Sequence, residues 1–387
     1  MITVRPGSHM YQLLRLLCIA GEFPSKSLGI IGDTRTVKAM VHKMEAEQKI
    51  RLSDNTILKT KLFQISGKGN QRTIRLVKKA LDVLIDIHPD ALGYYLDAYP
   101  ENKFTGDKLR IWRNHRVGES VAMCMMAGVE TEPYLLPELQ KQVILRVVPE
   151  KPVLYVARNF KKFCVDDLKK ISFTRITGLL IYPGGSYAVY NTRDAVMKWS
   201  GMGEQKTRQD MSEIVRMNVQ LEETNSALCF GEDEATTIRT VMESDKSKKQ
   251  LNRFDKIYRS VHFVPLNHDG INLLKILTLP DWKERLIGSL FGSEMRPKGY
   301  GSIEFDAYWD GKYIYSHLDG DIARLIRFNS ALKQEEHLFE VVCFPWQEEF
   351  LKNFLCKAVI LSPIEMPVIL TELGIIDPEG AEEDEGQ

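Results

Sequence analysis

The sequence predicts a mixed α/β protein of about two or three domains, an α+β arrangement in which a small helix-and-hairpin module precedes a helical stretch and a larger α/β body. Three observations carry this reading. Residues 1–80 step from helical periods to an alternating, turn-bounded run. Residues 81–150 are helical in pattern and short of strand signals, and from Pro152 short strand-like runs alternate with helical ones. A chain of 387 residues exceeds what one core serves, and 44% hydrophobic with 27% charged residues is ordinary globular composition. The expected boundaries are 1–80, 81–150 and 151–360, followed by a segment 361–387 that ends in an acidic tail.

The first module is read element by element. The apolar run 11–20 stops at Gly21, as a helix buried in a small core would. Pro24-Ser25 supplies a turn and an N-cap for a short helix over 26–31, closed by Gly32. Asp33 or Thr34 caps a third helix running to residue 49. At about 100° per residue, Val37, Met40, Val41, Met44 and Gln48 share one side, and Arg35, Lys38, Ala39, His42, Ala46 and Lys49 share the other. Residues 51–65, turning at Asp54-Asn55, read as a β-hairpin with Lys59 and Lys61 on one face and Leu58 and Leu62 on the opposite one. Gly67-Lys-Gly69 breaks the chain before a further helix. Helix, short helix, amphipathic helix, hairpin is the order of a winged helix-turn-helix, whose third helix enters the major groove while the hairpin touches phosphates.

Charge agrees with that order. The net charge is zero, yet residues 1–80 carry fifteen Lys/Arg against five acids, and the tail from Asp377 carries six acids and no base. A basic module on a weakly acidic body points to a polyanion, here double-stranded DNA. Arg35 at the start of the third helix is the candidate for a bidentate base contact, with Thr36, Lys38, His42 and Lys43 along the same helix. Lys59, Lys61, Lys68, Arg72 and Arg75 are candidates for phosphate contacts, which give affinity and register without sequence information. Two bland alternatives stand beside these: an interaction module that never meets DNA, and a plainly solvated His42.

Further along, residues 78–87 read as a helix ending at His88-Pro89, Tyr94-Tyr95 opens a polar loop containing Pro100 and Gly106, and 109–127 is a long helix stopped by Gly128. Its Arg110, Arg113, His115 and Arg116, beside Trp112, either extend the basic surface or form a salt-bridged face with Glu119. Strands are expected at 153–157, 177–182, 187–190, 227–230, 261–265, 303–308, 313–317 and 339–344. Helices are expected at 207–217, 234–244, 282–290 and 321–328, with hairpin turns at Pro183-Gly-Gly185 and Asp310-Gly311. The tail from Asp377 reads as disordered.

Several stretches carry a resemblance: Tyr11-Gln-Leu-Leu-Arg15 with Gly21-Glu-Phe-Pro24, Ile65-Ser-Gly-Lys-Gly69, His115-Arg-Val-Gly-Glu-Ser-Val-Ala-Met123, Thr177-Gly-Leu-Leu-Ile-Tyr-Pro-Gly-Gly185, Ala188-Val-Tyr-Asn191 and Leu318-Asp-Gly-Asp-Ile322. Together they resemble the replication-relaxation family of plasmids and integrative conjugative elements of Gram-positive bacteria. The resemblance implies a winged-helix DNA-binding start and a role in replication, maintenance or transfer of a mobile genetic element. It supplies no catalytic residue.

Catalytic signatures are scarce. There is no GxxxxGK[ST] loop, no GxSxG elbow and no HExxH, and no cofactor motif. His88, His115, His262, His268, His317 and His337 are dispersed, unlike the clustered ligands of a histidine relaxase, and no histidine stands three residues before an arginine as a tyrosine recombinase requires. Pro280-Asp281 and Asp310-Gly-Lys312, with Glu304, Asp306, Asp319 and Asp321 nearby, formally fit a Mg-dependent nuclease of restriction-like type, so a degenerate restriction-endonuclease-like core is one form the body can take. Asp281 and Asp321 as helix caps and Asp310-Gly311 as a hairpin turn explain the same residues without catalysis. A winged-helix transcription regulator with a ligand-sensing α/β domain is the other alternative; a non-catalytic DNA-binding scaffold is preferred. Six scattered cysteines without ligand spacing and the lack of a long apolar run lead us to expect reduced thiols, a cytoplasmic location and no membrane insertion. Other replication or conjugation proteins and a second copy of the chain are the expected protein partners.

Overall fold

The computed structural model describes residues 1–139, 150–160, 175–199, 201–219, 221, 224–242, 254–295, 304–334 and 336–376. The acidic tail, Cys164 and the last part of the helical stretch expected to reach residue 150 lie outside them. The fold is α+β. The chain forms two compact units, the first of Met1–Leu139, Val153–Phe163 and Thr177–Leu179, the second of Gln140–Pro152, Cys164–Ile176 and Leu180–Gln387. The basic module and the helices that follow it to residue 139 thus share one unit.

The first unit runs β1 (Ile2–Thr3), α1 (His9–Ala20), β2 (Glu22–Pro24), a 3-10 turn (Ser25–Ile30), α2 (Thr34–Glu45), β3 (Gln48–Arg51), β4 (Ile57–Thr60), β5 (Phe63–Ser66), β6 (Thr73–Leu76), α3 (Leu81–Ile87), α4 (Pro89–Ala98), α5 (Lys108–Met126), β7 (Val153–Val156) and α6 (Ala157–Phe160). Helix α1 forms its centre. Leu13, Leu14, Leu16 and Leu17 are all buried, each burial contributing about 1.5–3 kcal/mol. Ser8 caps its start by accepting from the Tyr11 N–H at 3.3 Å. Its end is fixed by Gly21 at φ +74°, where a Cβ would lie 2.6 Å from the ring of Tyr99, so both backbone handedness and close approach demand glycine.

Three departures from the sequence reading concern this unit. Helix α2 ends at Glu45, because Ala46 turns extended and Gln48–Arg51 enters a sheet of order β1-β3-β4 that buries Ile50 completely. The hairpin expected over 51–65 is two structures. Strand β3 pairs with β4 in register Lys49↔Lys59, whereas β5 pairs with β6, which in turn pairs with β2 in an antiparallel sheet of order β2-β6-β5. Residues 67–72 are therefore a hairpin turn and not the approach to a helix; burial of Ile74 and Leu76 draws 73–76 into the strand. Lastly, the polar loop expected from Tyr94 is helical as far as Ala98, since Pro89 opens α4 in its first turn besides ending what precedes it.

The second unit holds β8 (Gly178–Tyr182, whose first two residues belong to the first unit), β9 (Gly185–Arg193), α7 (Gly201–Asn218), β10 (Ser226–Gly231), α8 (Glu234–Met242), α9 (Phe254–Ile257), β11 (Ser260–Pro265), α10 (His268–Leu277), α11 (Trp282–Leu290), β12 (Ala307–Trp309), β13 (Lys312–Ser316), α12 (Ile322–Leu332), β14 (Leu338–Cys343), α13 (Pro345–Phe354), β15 (Ile360–Pro363) and α14 (Met366–Glu372). Residues 304–306, expected in a strand, precede β12, and α12 runs four residues past Phe328.

One connectivity occurs twice in this unit. Strands β8 and β9 meet at the Pro183-Gly184 turn, then α7, β10 parallel to β9, α8, the short α9 that has no counterpart in the second series, β11 parallel to β10, and α10. Strands β12 and β13 meet at Asp310-Gly311, then α12, β14 parallel to β13, α13, β15 parallel to β14, and α14. A Cys-Phe pair sits at the end of the third strand each time, Cys229-Phe230 and Cys343-Phe344. Strands β9, β10 and β11 are buried along nearly their whole length, as parallel strands covered on both faces are. One buried polar pair crosses between the two repeats, His317 Nε2 lying 2.6 Å from Glu234 Oε1, and within the second repeat Arg324 holds Asp306 at 2.7 Å.

Candidate nucleic-acid interface

Helix α2 carries the central candidates because its N-terminus is capped and its inner face is anchored. Asp33 accepts from the Thr36 N–H at 2.8 Å, and that bond leads the interactions holding its carboxyl below the usual range. Val37, Val41 and Met44 are buried, while Arg35, Thr36, Lys38, His42 and Lys43 are all exposed. Thr36 thus takes part in the cap through both its backbone and its exposed side chain. The imidazole of His42 lies 3.2 Å from Glu45, an exposed pair of little energetic weight.

The expected phosphate contacts separate into groups. Lys59 and Lys61 are exposed, with Leu62 fully buried and Leu58 half-buried, but the strand ends at Thr60, before Lys61 and Leu62. Only Lys59 lies in a strand, where it faces Glu47 at 3.5 Å. Lys68 and Arg72 are exposed in the turn between β5 and β6, the feature that sequence reading missed. The clue was the run Thr73-Ile-Arg-Leu76, alternating and partly β-branched straight after a glycine pair. Arg75 is half-buried on β6 opposite Gln64, to which its Nη2 donates at 3.1 Å, and it is the least available of the set.

The basic surface does not continue evenly onto α5. His115 is buried with Nε2 3.4 Å from Glu22 Oε1, Glu119 is buried and accepts from Ser27 at 2.6 Å, and Arg116 is half-buried. Arg110 and Arg113 are exposed, as is Trp112, over which the Lys108 ammonium sits 5.2 Å from the ring centroid.

In the second unit the acids of the nuclease pattern have other partners. Lys312 pairs with Glu340 at 2.7 Å, Asp306 accepts from the Ser316 N–H and from Arg324, and Glu304 binds Arg327 at 3.0 Å. Asp310 and Gly311 both have positive φ, the geometry of a tight hairpin turn. Asp321 caps α12 through the Arg324 N–H, whereas Asp281 occupies the cap position of α11 without a side-chain bond. Among the described residues no three His, Cys, Asp or Glu side chains gather as metal ligands. A cavity of about 550 Å³ opens beyond the carboxyl ends of β10 and β11, between Asp233, Phe263, Asn267, Trp346 and Phe350.

The thiols of Cys18, Cys229 and Cys343 are pushed up to about 12 by burial, and Cys124 is raised by the same cause, which keeps them unreactive. Cys356 is exposed. Among the described residues no helix is long and apolar enough to cross a membrane. No family model, curated protein or solved structure matches this chain.

Proposed function

We propose that residues 1–76 act as a winged helix-turn-helix on duplex DNA, and that the protein serves a mobile genetic element in replication, maintenance or transfer as a non-catalytic scaffold. The observation that carries the DNA reading is α2: a capped helix with Val37, Val41 and Met44 inward and Arg35, Lys38, His42 and Lys43 outward. In this reading α1, β2, the 3-10 turn and α2 are followed by β5 and β6, and the wing is the turn Gly67–Arg72 that bears Lys68 and Arg72. The β3–β4 hairpin is an addition before it. The mobile-element role rests on the resemblance of the sequence motifs to the replication-relaxation family. The committed side chains of Lys312, Asp306 and Glu304 speak for a scaffold over a Mg-dependent nuclease.

Selection of bound fragments from a pool of plasmid, conjugative-element and chromosomal DNA tests both parts. Enrichment of replication or transfer regions supports the reading. Absence of duplex binding even at low salt, where phosphate contacts are strongest, overturns it.

A second reading, a regulator whose α/β body senses a small molecule, is favoured by the cavity of about 550 Å³ at the carboxyl ends of β10 and β11. Blocking that cavity with a bulky substitution at Asn267 and finding unchanged DNA affinity in the presence of cell extract small molecules would count against it.

A further inference from the structure

The first unit contains a second pocket, of about 270 Å³, away from α2 and its turn. Helix α4 and the residue after it contribute Tyr94 and Tyr99, the following loop contributes Phe104, helix α5 contributes Arg110 and Arg113, and α6 contributes Arg158. No acid lines it, and among the described residues none of these three arginines is held in an ion pair. Uncompensated guanidinium groups around one concavity select an anion.

The aromatic walls narrow the choice. The Arg158 guanidinium lies over the Tyr99 ring, 4.7 Å from its centroid, and among the described residues its Nη1 is shielded from water without an acceptor. Tyr99 is itself buried and fixed by donating to the Ile19 carbonyl at 2.7 Å, so the seat of the Arg158 guanidinium is preorganised. Burial pushes the phenol of Tyr94 upward, keeping it a donor at neutral pH. Arg110 and Arg113 stand one turn apart on α5 and share a face. Flat rings beside three guanidinium groups suit a ligand with one planar ring system and one phosphate, and the volume admits about one such unit.

We propose that this pocket binds a 5′-nucleoside monophosphate group, its base against the half-buried Tyr94 and Phe104 rings and its phosphate on Arg110, Arg113 and the Arg158 seated on Tyr99. The ligand is either a free nucleotide or the phosphorylated 5′ end of a DNA strand; the two present the same chemistry. The assignment stands independently of duplex binding by α2.

Calorimetric titration of the full chain with AMP, adenosine and inorganic phosphate tests it, using a chain in which Lys68 and Arg72 are alanine so that the turn does not contribute. AMP is expected to bind at least about tenfold more tightly than adenosine or phosphate. Arg110→Ala with Arg113→Ala, both exposed positions, should weaken AMP at least about tenfold while leaving the thermal unfolding midpoint unchanged. A 5′-phosphorylated single strand that outcompetes both AMP and its 5′-hydroxyl counterpart assigns the pocket to strand ends; equal competition by AMP assigns it to free nucleotide. Absence of saturable AMP binding, or AMP affinity indifferent to the two substitutions, overturns the proposal.

Discussion

The carboxylate of Glu45, the last residue of α2, accepts a hydrogen bond from the backbone N–H of Ile65 in β5 at 3.0 Å. One residue earlier, the Met44 carbonyl accepts from the Leu62 N–H at 3.0 Å. These two bonds tie the end of the candidate reading helix to the sheet that carries the 67–72 turn. Glu45→Ala should therefore destabilise the chain by about 1 kcal/mol, a charge-assisted bond discounted for partial exposure, read from the urea unfolding midpoint. Glu45→Gln retains an acceptor and should lose less. His42→Ala, which removes only the exposed pair with Glu45, should change stability hardly at all. Equal losses for Glu45→Ala and His42→Ala would show that the bond to Ile65 does not hold the helix to the sheet.

Arg35 separates base reading from mere attraction. It is exposed in the first turn of α2, away from the buried Val37 and Val41. Arg35→Ala should cost about 1–3 kcal/mol on a selected duplex and much less on a scrambled one, measured at one salt concentration. Circular dichroism should be unchanged, because alanine favours helix and the position faces solvent. Equal losses on both duplexes would reduce Arg35 to a phosphate contact.

The turn between β5 and β6 makes a different forecast. Lys68→Ala with Arg72→Ala should weaken binding to all duplexes about equally and lower the slope of log affinity against log salt by roughly one per contact removed. Lys59, already facing Glu47 at 3.5 Å, should contribute a smaller slope change than Lys68. A larger effect at Lys59 and Lys61 than at Lys68 and Arg72 would return the wing to the β3–β4 hairpin.

The buried pair of His317 and Glu234 joins the two repeats of the second unit, with side chains almost wholly shielded. His317→Ala leaves the Glu234 carboxylate buried and unpaired, so a loss of about 3–5 kcal/mol is expected in thermal or denaturant unfolding. Replacing both residues by apolar ones of similar volume should recover much of it. Failure of the double change to recover any stability would mean that the pair is held for a reason other than charge compensation.

Much of this architecture was legible as pattern. Helix α1 could be read from its apolar run and Gly21, α5 from its length and Gly128, and the Pro183-Gly184 and Asp310-Gly311 turns from their residues alone, because each signal is local. What escaped was set by pairing at a distance. Strand β2 has three residues and β6 four, too short for periodicity, and both exist through the register Glu22↔Arg75 and Gln64↔Arg75. The end of α2 is set in the same way, since Gln48 and Lys49 fit a helical wheel but are claimed by Thr60 and Lys59 across β4. The exposed stripe of α2 was readable because amphipathicity is local. The pocket around Arg158 was not, because its walls come from four segments of the chain.

Asp321 links the start of α12 to β11, and its ionisation gives the fold a pH dependence. It is buried, and its Oδ1 accepts the Val261 N–H at 3.0 Å and the Arg324 N–H at 3.1 Å. Burial alone pushes its carboxyl upward, but neighbouring His262 and these N–H groups outweigh that and leave it below the ordinary value. A carboxyl lowered by folding stabilises the native state fully above its unfolded value of about 3.9, and that contribution is lost as pH falls through the depressed folded value. Asp321→Asn keeps an oxygen acceptor but removes the charge, so at neutral pH it should lose about 1–3 kcal/mol. Denaturant unfolding of both chains from about pH 7 down to about pH 3 should then show the difference constant at first and narrowing only in the acid range, as the native carboxylate takes up its proton. A difference that stays constant throughout, or widens toward acid, would mean that the bonds to Val261 and Arg324 do not depend on the charge of Asp321.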